Sequence, residues 1–202
     1  MDIDNALRFL DELSNDTARL HLESHSYFPS HRALMRLASR VDDDPQNDGL
    51  LSLSCAVYGW MPTILKNWKF ENFGVEFPVE VVKGLNDAEA GKEFLSKIDA
   101  VSPINNSWVG LSKLLYFLNP ELFPIWDSRI AKHFGFNWAG QLNRKDVYIS
   151  YFMFIHENLK AQQDMLIFVA DQIEKDHGYR PSAVRCLELI FFESPVNDRL
   201  PH

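Results

Sequence analysis

Apolar residues recur at three- and four-residue steps along most of the chain, which is the spacing of amphipathic α-helices. The pattern is clear at residues 4–13 and 31–41, and Ser30 can cap the second of these helices. Residues 50–58 are apolar nearly all round, which predicts a buried central helix. Further helices are predicted at residues 16–22, 63–68, 78–85, 87–98, from 144 or 145 to about 177 with a break near 162–163, and 182–193.

No convincing strand pattern, internal repeat or low-complexity segment interrupts these helices. The sequence therefore predicts an all-α fold, a compact multi-helix domain. The chain has 202 residues, of which 46% are hydrophobic and 15 are Phe, and this suffices for a substantial core. We expect one domain over residues 1–202, with sub-domains at 1–100 and 101–202 as the alternative division.

The sequence also bears on compartment and metal content. The amino-terminal segment is acidic and amphipathic, unlike a signal peptide, and no apolar run is long enough for a membrane span, so we expect a cytoplasmic protein. Cys55 and Cys186 lie in apolar stretches and are expected to pack as small buried residues. His21, His25 and His31 lack the further ligands of a metal site, and we expect them at the surface. No metal and no cofactor are predicted.

The stretch that carries candidate chemistry is residues 104–135. Ser107 can cap a helix that ends near Pro120, and Lys113 lies about one and a half turns into that helix. A short apolar crossing follows, and Asp127 then opens the next helix. Because a lysine and a carboxylate at two successive helix starts can meet in space, we expect Lys113 and Asp127 to form a pair.

Such a pair has a chemical and a plain structural interpretation. A lysine partly removed from water at the edge of an apolar helix loses its proton more readily, and the neutral amine can attack an electrophilic carbon. Without any such role, Lys113 is an extended surface side chain and Asp127 is a helix cap, and each of these is the commoner case for a single residue. The chemical interpretation depends on the order and setting of the two residues together.

In that order and setting the stretch resembles the helix-hairpin-helix DNA glycosylases, most of all their 8-oxoguanine and endonuclease-III-like branches. In that family a hairpin joins two helices, a lysine lies early in the second helix, and an aspartate opens the following one. Here Lys113 corresponds to the lysine, and the run Asp127-Ser128-Arg129-Ile130 corresponds to the aspartate-led start. The resemblance implies a helix-hairpin-helix-like element and a base-excision role in DNA repair, in which Lys113 attacks the sugar C1′ carbon and Asp127 stabilises the positive sugar.

The same resemblance implies the remaining site residues. The hairpin backbone grips DNA phosphates in the family, and the damaged base is flipped into an aromatic pocket. These roles assign DNA binding to Asn105, Asn106, Trp108, Gly110, Arg129 and Lys132. They assign the base pocket, or a wedge at the lesion, to Tyr58, Trp60 and Trp126. Gly110 is the one glycine of the hairpin in this chain, and no cysteine cluster for an iron–sulfur centre is present.

The charge and its distribution along the chain favour some classes of partner over others. The formal net charge of −8 argues against nonspecific coating of nucleic acid. The charge is uneven, however, because residues 101–145 contain five basic and two acidic residues and so carry +3. DNA is therefore the leading expected partner. The alternative function is a non-catalytic helical protein that keeps a glycosylase-like scaffold and binds a protein partner through its acidic surface.

Overall fold

The computed structural model describes residues 1–15, 27–42, 48–60, 64–68, 78–99 and 103–194. Within these ranges the regular elements are all helical, as the sequence predicts. They are α1 Ile3–Asn15, α2 Tyr27–Ala38, α3 Asp48–Trp60, α4 Val79–Gly84, α5 Ala88–Lys97, α6 Trp108–Leu118, α7 Ser128–His133, α8 Ala139–Leu142, α9 Lys145–Asn158, α10 Gln163–His177 and α11 Ala183–Glu193. None of these helices has both the length and the apolar character that a membrane crossing requires.

Helix α6 lies at the centre of the molecule. Ten of its eleven residues are buried, and α2, α3, α4 and α9 all pack against it. One hydrophobic cluster surrounds it and extends from Ala6 in α1 to Phe191 in α11, so both halves of the chain contribute to the same core. A polar side chain on α6 is therefore placed in or at the edge of this core, and Lys113 is such a side chain.

Several helix ends lie where local sequence signals predict them. Ser107, Asp127 and Ser182 cap α6, α7 and α11, and each side chain accepts a hydrogen bond from a backbone N–H in the first turn. Gly178 ends α10 in the left-handed conformation, with φ of +63°. These capping interactions join residues only a few positions apart, so the local sequence is sufficient to predict them.

The helix predicted at residues 63–68 is wrong for the part that the structure describes. Residues 64–67 are not helical, and Trp68 instead forms an isolated antiparallel bridge with Ile104. The Asn105 side chain explains the difference, because its oxygen accepts hydrogen bonds of 2.7 Å from the N–H groups of Lys66 and Asn67. A partner some 40 residues away thus satisfies backbone groups that a helix would have used.

Burial corrects two further predictions. His31 was expected at the surface, but it is 2% exposed because α2 begins at Tyr27 and its inner face packs on α6. Cys55 was expected in the core, but it lies on the exposed face of α3, whereas Cys186 is buried as predicted. His21 and His25 lie outside the described residues. Among the residues described, no group of three or more His, Cys, Asp or Glu side chains could hold a metal ion.

The loop predicted near residues 136–140 contains a short helix, α8, at its end. The long helical pattern from 144 or 145 is divided into α9 and α10, and the division falls at the break that the sequence predicts. Helix α7 has only six residues, and its carboxyl end is tied to the amino terminus of the chain. Asn5 Nδ2 donates to the His133 carbonyl at 2.8 Å, and the Asp2 N–H donates to the Phe134 carbonyl at 3.0 Å.

Candidate functional site

Lys113 and Asp127 meet, as the order of the two helices predicts. Lys113 Nζ lies 2.9 Å from Asp127 Oδ2 and donates a hydrogen bond to it. The two side chains are 11% and 18% exposed. The pair therefore lies at the edge of the core, where part of it is reachable from solvent and the remainder is held by protein.

Local structure fixes the position of Asp127. Its Oδ1 accepts a hydrogen bond from the Arg129 N–H at 3.0 Å, so the carboxylate caps α7 with one oxygen and binds Lys113 with the other. The preceding residue is fixed as well, because Ser112 Oγ on α6 accepts a hydrogen bond of 2.9 Å from the Trp126 N–H. Adjacent residues of α6 thus hold both the carboxylate and the crossing that leads to it.

The pair favours an ionised carboxylate. Burial raises the pKa of Asp127, but the Lys113 ammonium and the Arg129 N–H oppose that effect, and the pKa lies below its ordinary value. Asp127 is therefore a stable negative charge at neutral pH. Such a charge can stabilise a developing positive charge beside it.

A second carboxylate lies behind the pair, and the sequence reading missed it. Glu188 on α11 is 1% exposed, and its Oε2 accepts a hydrogen bond from the Ile125 N–H at 3.0 Å. Its other oxygen is bound by the guanidinium of Arg185, which is also buried. Burial raises the pKa of Glu188 to about 7 against the opposing effects of Arg185 and Lys113. The Arg-x-x-Glu spacing inside an otherwise apolar helix was the signal for this ion pair.

Two buried polar atoms near this region have no hydrogen-bond partner among the residues that the structure describes. The Tyr151 hydroxyl is one of them, and its ring packs against Trp126 with 4.6 Å between centroids. The other is Nδ1 of His31, whose Nε2 is paired with the Tyr116 hydroxyl at 2.6 Å. Tyr116 in turn lies under the Arg185 guanidinium, 5.3 Å from its ring centroid. His31 and Arg185 thus both contact Tyr116, which lies three residues after Lys113 on α6.

The segment before α6 is a tight turn. Asn105 and Asn106 both have φ of +51°, and the Ser107 N–H donates to the Ile104 carbonyl at 2.8 Å. The described helix that precedes it, α5, ends at Lys97, well before the turn. The predicted helix-hairpin-helix element is therefore not confirmed, although the turn lies where its hairpin was expected.

The predicted DNA-binding residues of this turn differ in their accessibility. Asn106 is exposed, but the Asn105 side chain is engaged with residues 64–67. Trp108 is fully buried, and Gly110 is buried against the Tyr58 hydroxyl. The side chain of Trp108 therefore does not face a DNA-binding surface in this structure, and Gly110 is explained by close packing.

The three aromatic residues predicted for a base pocket do not come together. Tyr58 is 2% exposed and packs under Gly110. Trp60 donates to Ser30 Oγ at 3.0 Å, and Trp126, which is fully buried, donates to the Leu142 carbonyl at 2.9 Å. Each ring thus has its own place in the core, so the prediction of a shared pocket is not supported by their positions.

The two predicted phosphate-binding cations lie on α7, the helix that Asp127 begins. Arg129 and Lys132 are both exposed. The Arg129 guanidinium lies 4.4 Å from the centroid of the Phe192 ring, which orients it by a cation–π contact. Both side chains can therefore meet an anion that approaches the Lys113–Asp127 pair along α7.

The resemblance expected from the sequence rests on Lys113, Asp127 and the order of their helices. Comparison of the whole chain with protein-family models, with curated proteins and with solved structures finds no match.

Proposed function

We propose that this protein acts on DNA as a glycosylase-like enzyme, with Lys113 as the nucleophile and Asp127 as its electrostatic partner. The observation that supports the proposal is the 2.9 Å contact between the two side chains. It joins the two groups that the resemblance to helix-hairpin-helix glycosylases singles out. The two side chains are 11% and 18% exposed, so each is in part accessible to solvent.

The chemistry follows from the charges of the pair. Lys113 is an ammonium while it is bound to Asp127, so it gives a proton to the departing base, which leaves with the electrons of the C1′–N bond. The neutral amine then forms a bond to C1′, and the Asp127 carboxylate stabilises the positive charge on the sugar. A proton then passes from Nζ to O4′ as the C1′–O4′ bond breaks, which opens the sugar ring and leaves a protonated imine between Nζ and C1′.

A non-catalytic scaffold that binds a protein partner is the alternative. It is favoured by the fact that both oxygens of Asp127 are already bound within the protein, one by Lys113 and one by the Arg129 N–H. On this alternative the pair fastens α6 to α7 and has no chemical role. Trapping of the imine separates the two functions.

The test is borohydride reduction of the protein with duplex DNA that carries an abasic site. We expect a covalent complex with the wild-type protein and at least a hundred-fold less with Lys113→Gln, because the amide cannot form an imine. Asp127→Asn should trap more slowly because the sugar cation loses its partner. Lys97→Gln is the matched control, since Lys97 forms an exposed ion pair with Glu93 at 2.7 Å and should trap like wild type.

Peptide mapping of the wild-type complex makes the test independent of how the variants fold. The DNA adduct should lie on the peptide that contains Lys113. An adduct on another lysine, or no adduct at all, would refute the lysine mechanism and favour the non-catalytic alternative.

A further inference from the structure

Trp138 is an exposed aromatic residue in the segment between α7 and α8. It is 62% exposed, whereas Trp108 and Trp126 are fully buried. Its ring lies on the backbone of Gly140, where a Cβ atom would come within 2.7 Å of three ring carbons. One face of the indole is thus covered by the chain, and exposed surface remains on the rest of the ring.

The segment that carries Trp138 contacts, at its two ends, residues near the starts of α7 and α6, the helices of Asp127 and Lys113. The Phe136 ring packs edge-on against Trp126, the residue before Asp127, with centroids 6.1 Å apart. At the other end, Asn143 accepts a hydrogen bond of 2.7 Å from the Trp108 N–H at the start of α6. Trp138 therefore lies in a segment that borders the amino-terminal ends of α6 and α7.

The charge of the part of the sequence around Trp138 indicates the kind of partner. The neighbouring helix α7 presents Arg129 and Lys132 to solvent, and residues 101–145 carry five basic against two acidic residues in a chain whose net charge is −8. An exposed aromatic ring next to cations is the arrangement with which proteins bind unpaired nucleic-acid bases, since the ring stacks and the cations meet phosphates.

We propose that Trp138 is a stacking residue that receives an unpaired base of DNA at the rim of the Lys113–Asp127 site. The inference rests on the proposed function, because it requires that DNA reach this site. It goes beyond that function by naming a residue outside the motif that holds the DNA strand next to the pair. Tyr58, Trp60 and Trp126 pack in or against the core, and Trp138 takes their place as the aromatic contact to DNA.

Binding is measured by fluorescence anisotropy with a labelled duplex that contains a tetrahydrofuran abasic analogue, which cannot form an imine. We expect Trp138→Ala to bind roughly ten-fold more weakly, while Trp138→Phe stays within about three-fold of wild type because it keeps an aromatic face. Ile64→Ala is the control, since Ile64 is also exposed, at 72%, and lies in another part of the chain. Circular dichroism should show unchanged folding for all three variants.

The outcomes separate the two proposals. If wild type binds the duplex and Trp138→Ala binds equally well, the stacking role is overturned and the catalytic proposal is unaffected. If binding depends on Trp138 but wild type gives no borohydride adduct, the stacking role stands and the lysine chemistry fails. Failure of the wild-type protein to bind the duplex at all would overturn the stacking role as well.

Discussion

Burial determines the charge state of His31. Its ring is 2% exposed, and burial, together with the nearby Arg185 guanidinium, lowers its pKa from 6.5 to about 3. The folded protein therefore holds this imidazole neutral, whereas the unfolded chain protonates it in mild acid. His133 is also buried and His156 is half-buried, and burial lowers the pKa of each.

We predict that the contribution of His31 to the free energy of unfolding falls as the pH drops below about 6.5. Between the two pKa values of His31, 6.5 unfolded and about 3 folded, the unfolded state binds more protons, so acid favours it. The loss from this one group reaches about 2 kcal/mol by pH 5. Urea denaturation of wild type and His31→Gln at pH 7.5, 6 and 5 measures it, and the variant should lose less stability over this range. Equal slopes would show that His31 is protonated without cost.

At the residue scale, sequence reasoning succeeds where the partner is implied by local order. Lys113 and Asp127 could be paired because each lies near a helix start, and short-range caps fix both starts. His31 could not be placed, because its partner Tyr116 lies 85 residues away on another helix. Trp138 was overlooked because a loop aromatic has no periodic pattern that tells exposure from burial.

At the element scale, helix α6 packs closely against α3. Gly110 lies in its first turn, and a Cβ atom at this position would come within 2.8 Å of Tyr58 Cζ and closer still to the hydroxyl oxygen. Tyr58 comes from α3 and is itself buried. The glycine therefore allows α3 to approach α6 next to the turn that precedes Lys113.

Gly110→Ala should destabilise the protein by about 1–3 kcal/mol, because the added methyl group must displace a buried ring. Gly59→Ala is the matched control, since apart from the adjoining helix backbone no atom of the described residues lies within 4 Å of a Cβ at that position, and it should cause no loss of stability. Thermal and denaturant unfolding measure both. If Gly110→Ala is as stable as wild type, the Tyr58 ring moves more freely than its burial suggests.

An element is predicted correctly where the contacts that form it are close in sequence. Helices with apolar periodicity and a capping residue lie close to their predicted bounds, as α5 and α11 do. The helix prediction is wrong at residues 64–68 because backbone N–H groups of this segment donate to the Asn105 side chain. No local sequence pattern indicates this long-range hydrogen bond. The surroundings of the aromatic residues predicted for a base pocket depend on long-range contacts as well, since Tyr58, Trp60 and Trp126 each have different partners.

On the scale of the whole molecule, the Arg185–Glu188 pair joins the last described helix to the centre. Glu188 holds the Ile125 N–H at 3.0 Å, two residues before Asp127, and Arg185 lies over Tyr116 of α6. A buried pair of this kind is costly to break, because the remaining charge is left without a partner in the core.

Glu188→Ala should therefore destabilise the protein by roughly 3–5 kcal/mol, since it leaves the Arg185 guanidinium unpaired. The double variant Arg185→Met/Glu188→Leu should recover a large part of that loss, because no buried charge remains. Denaturant unfolding of the three proteins at pH 7.5 measures the difference. A double variant as unstable as the single one would mean that the Ile125 hydrogen bond, not the charge, is what matters.

The short helix α7 has a consequence for the order of assembly. Six residues are too few for a helix to persist alone in water, and α7 is held between α1 and α11. On the ribosome α1 emerges first, but α11 emerges only after residue 193 has been made. The Asp127 carboxylate is thus held beside Lys113 only once α11 can pack against α7, and a nascent chain that ends before α11 carries the lysine without its settled partner.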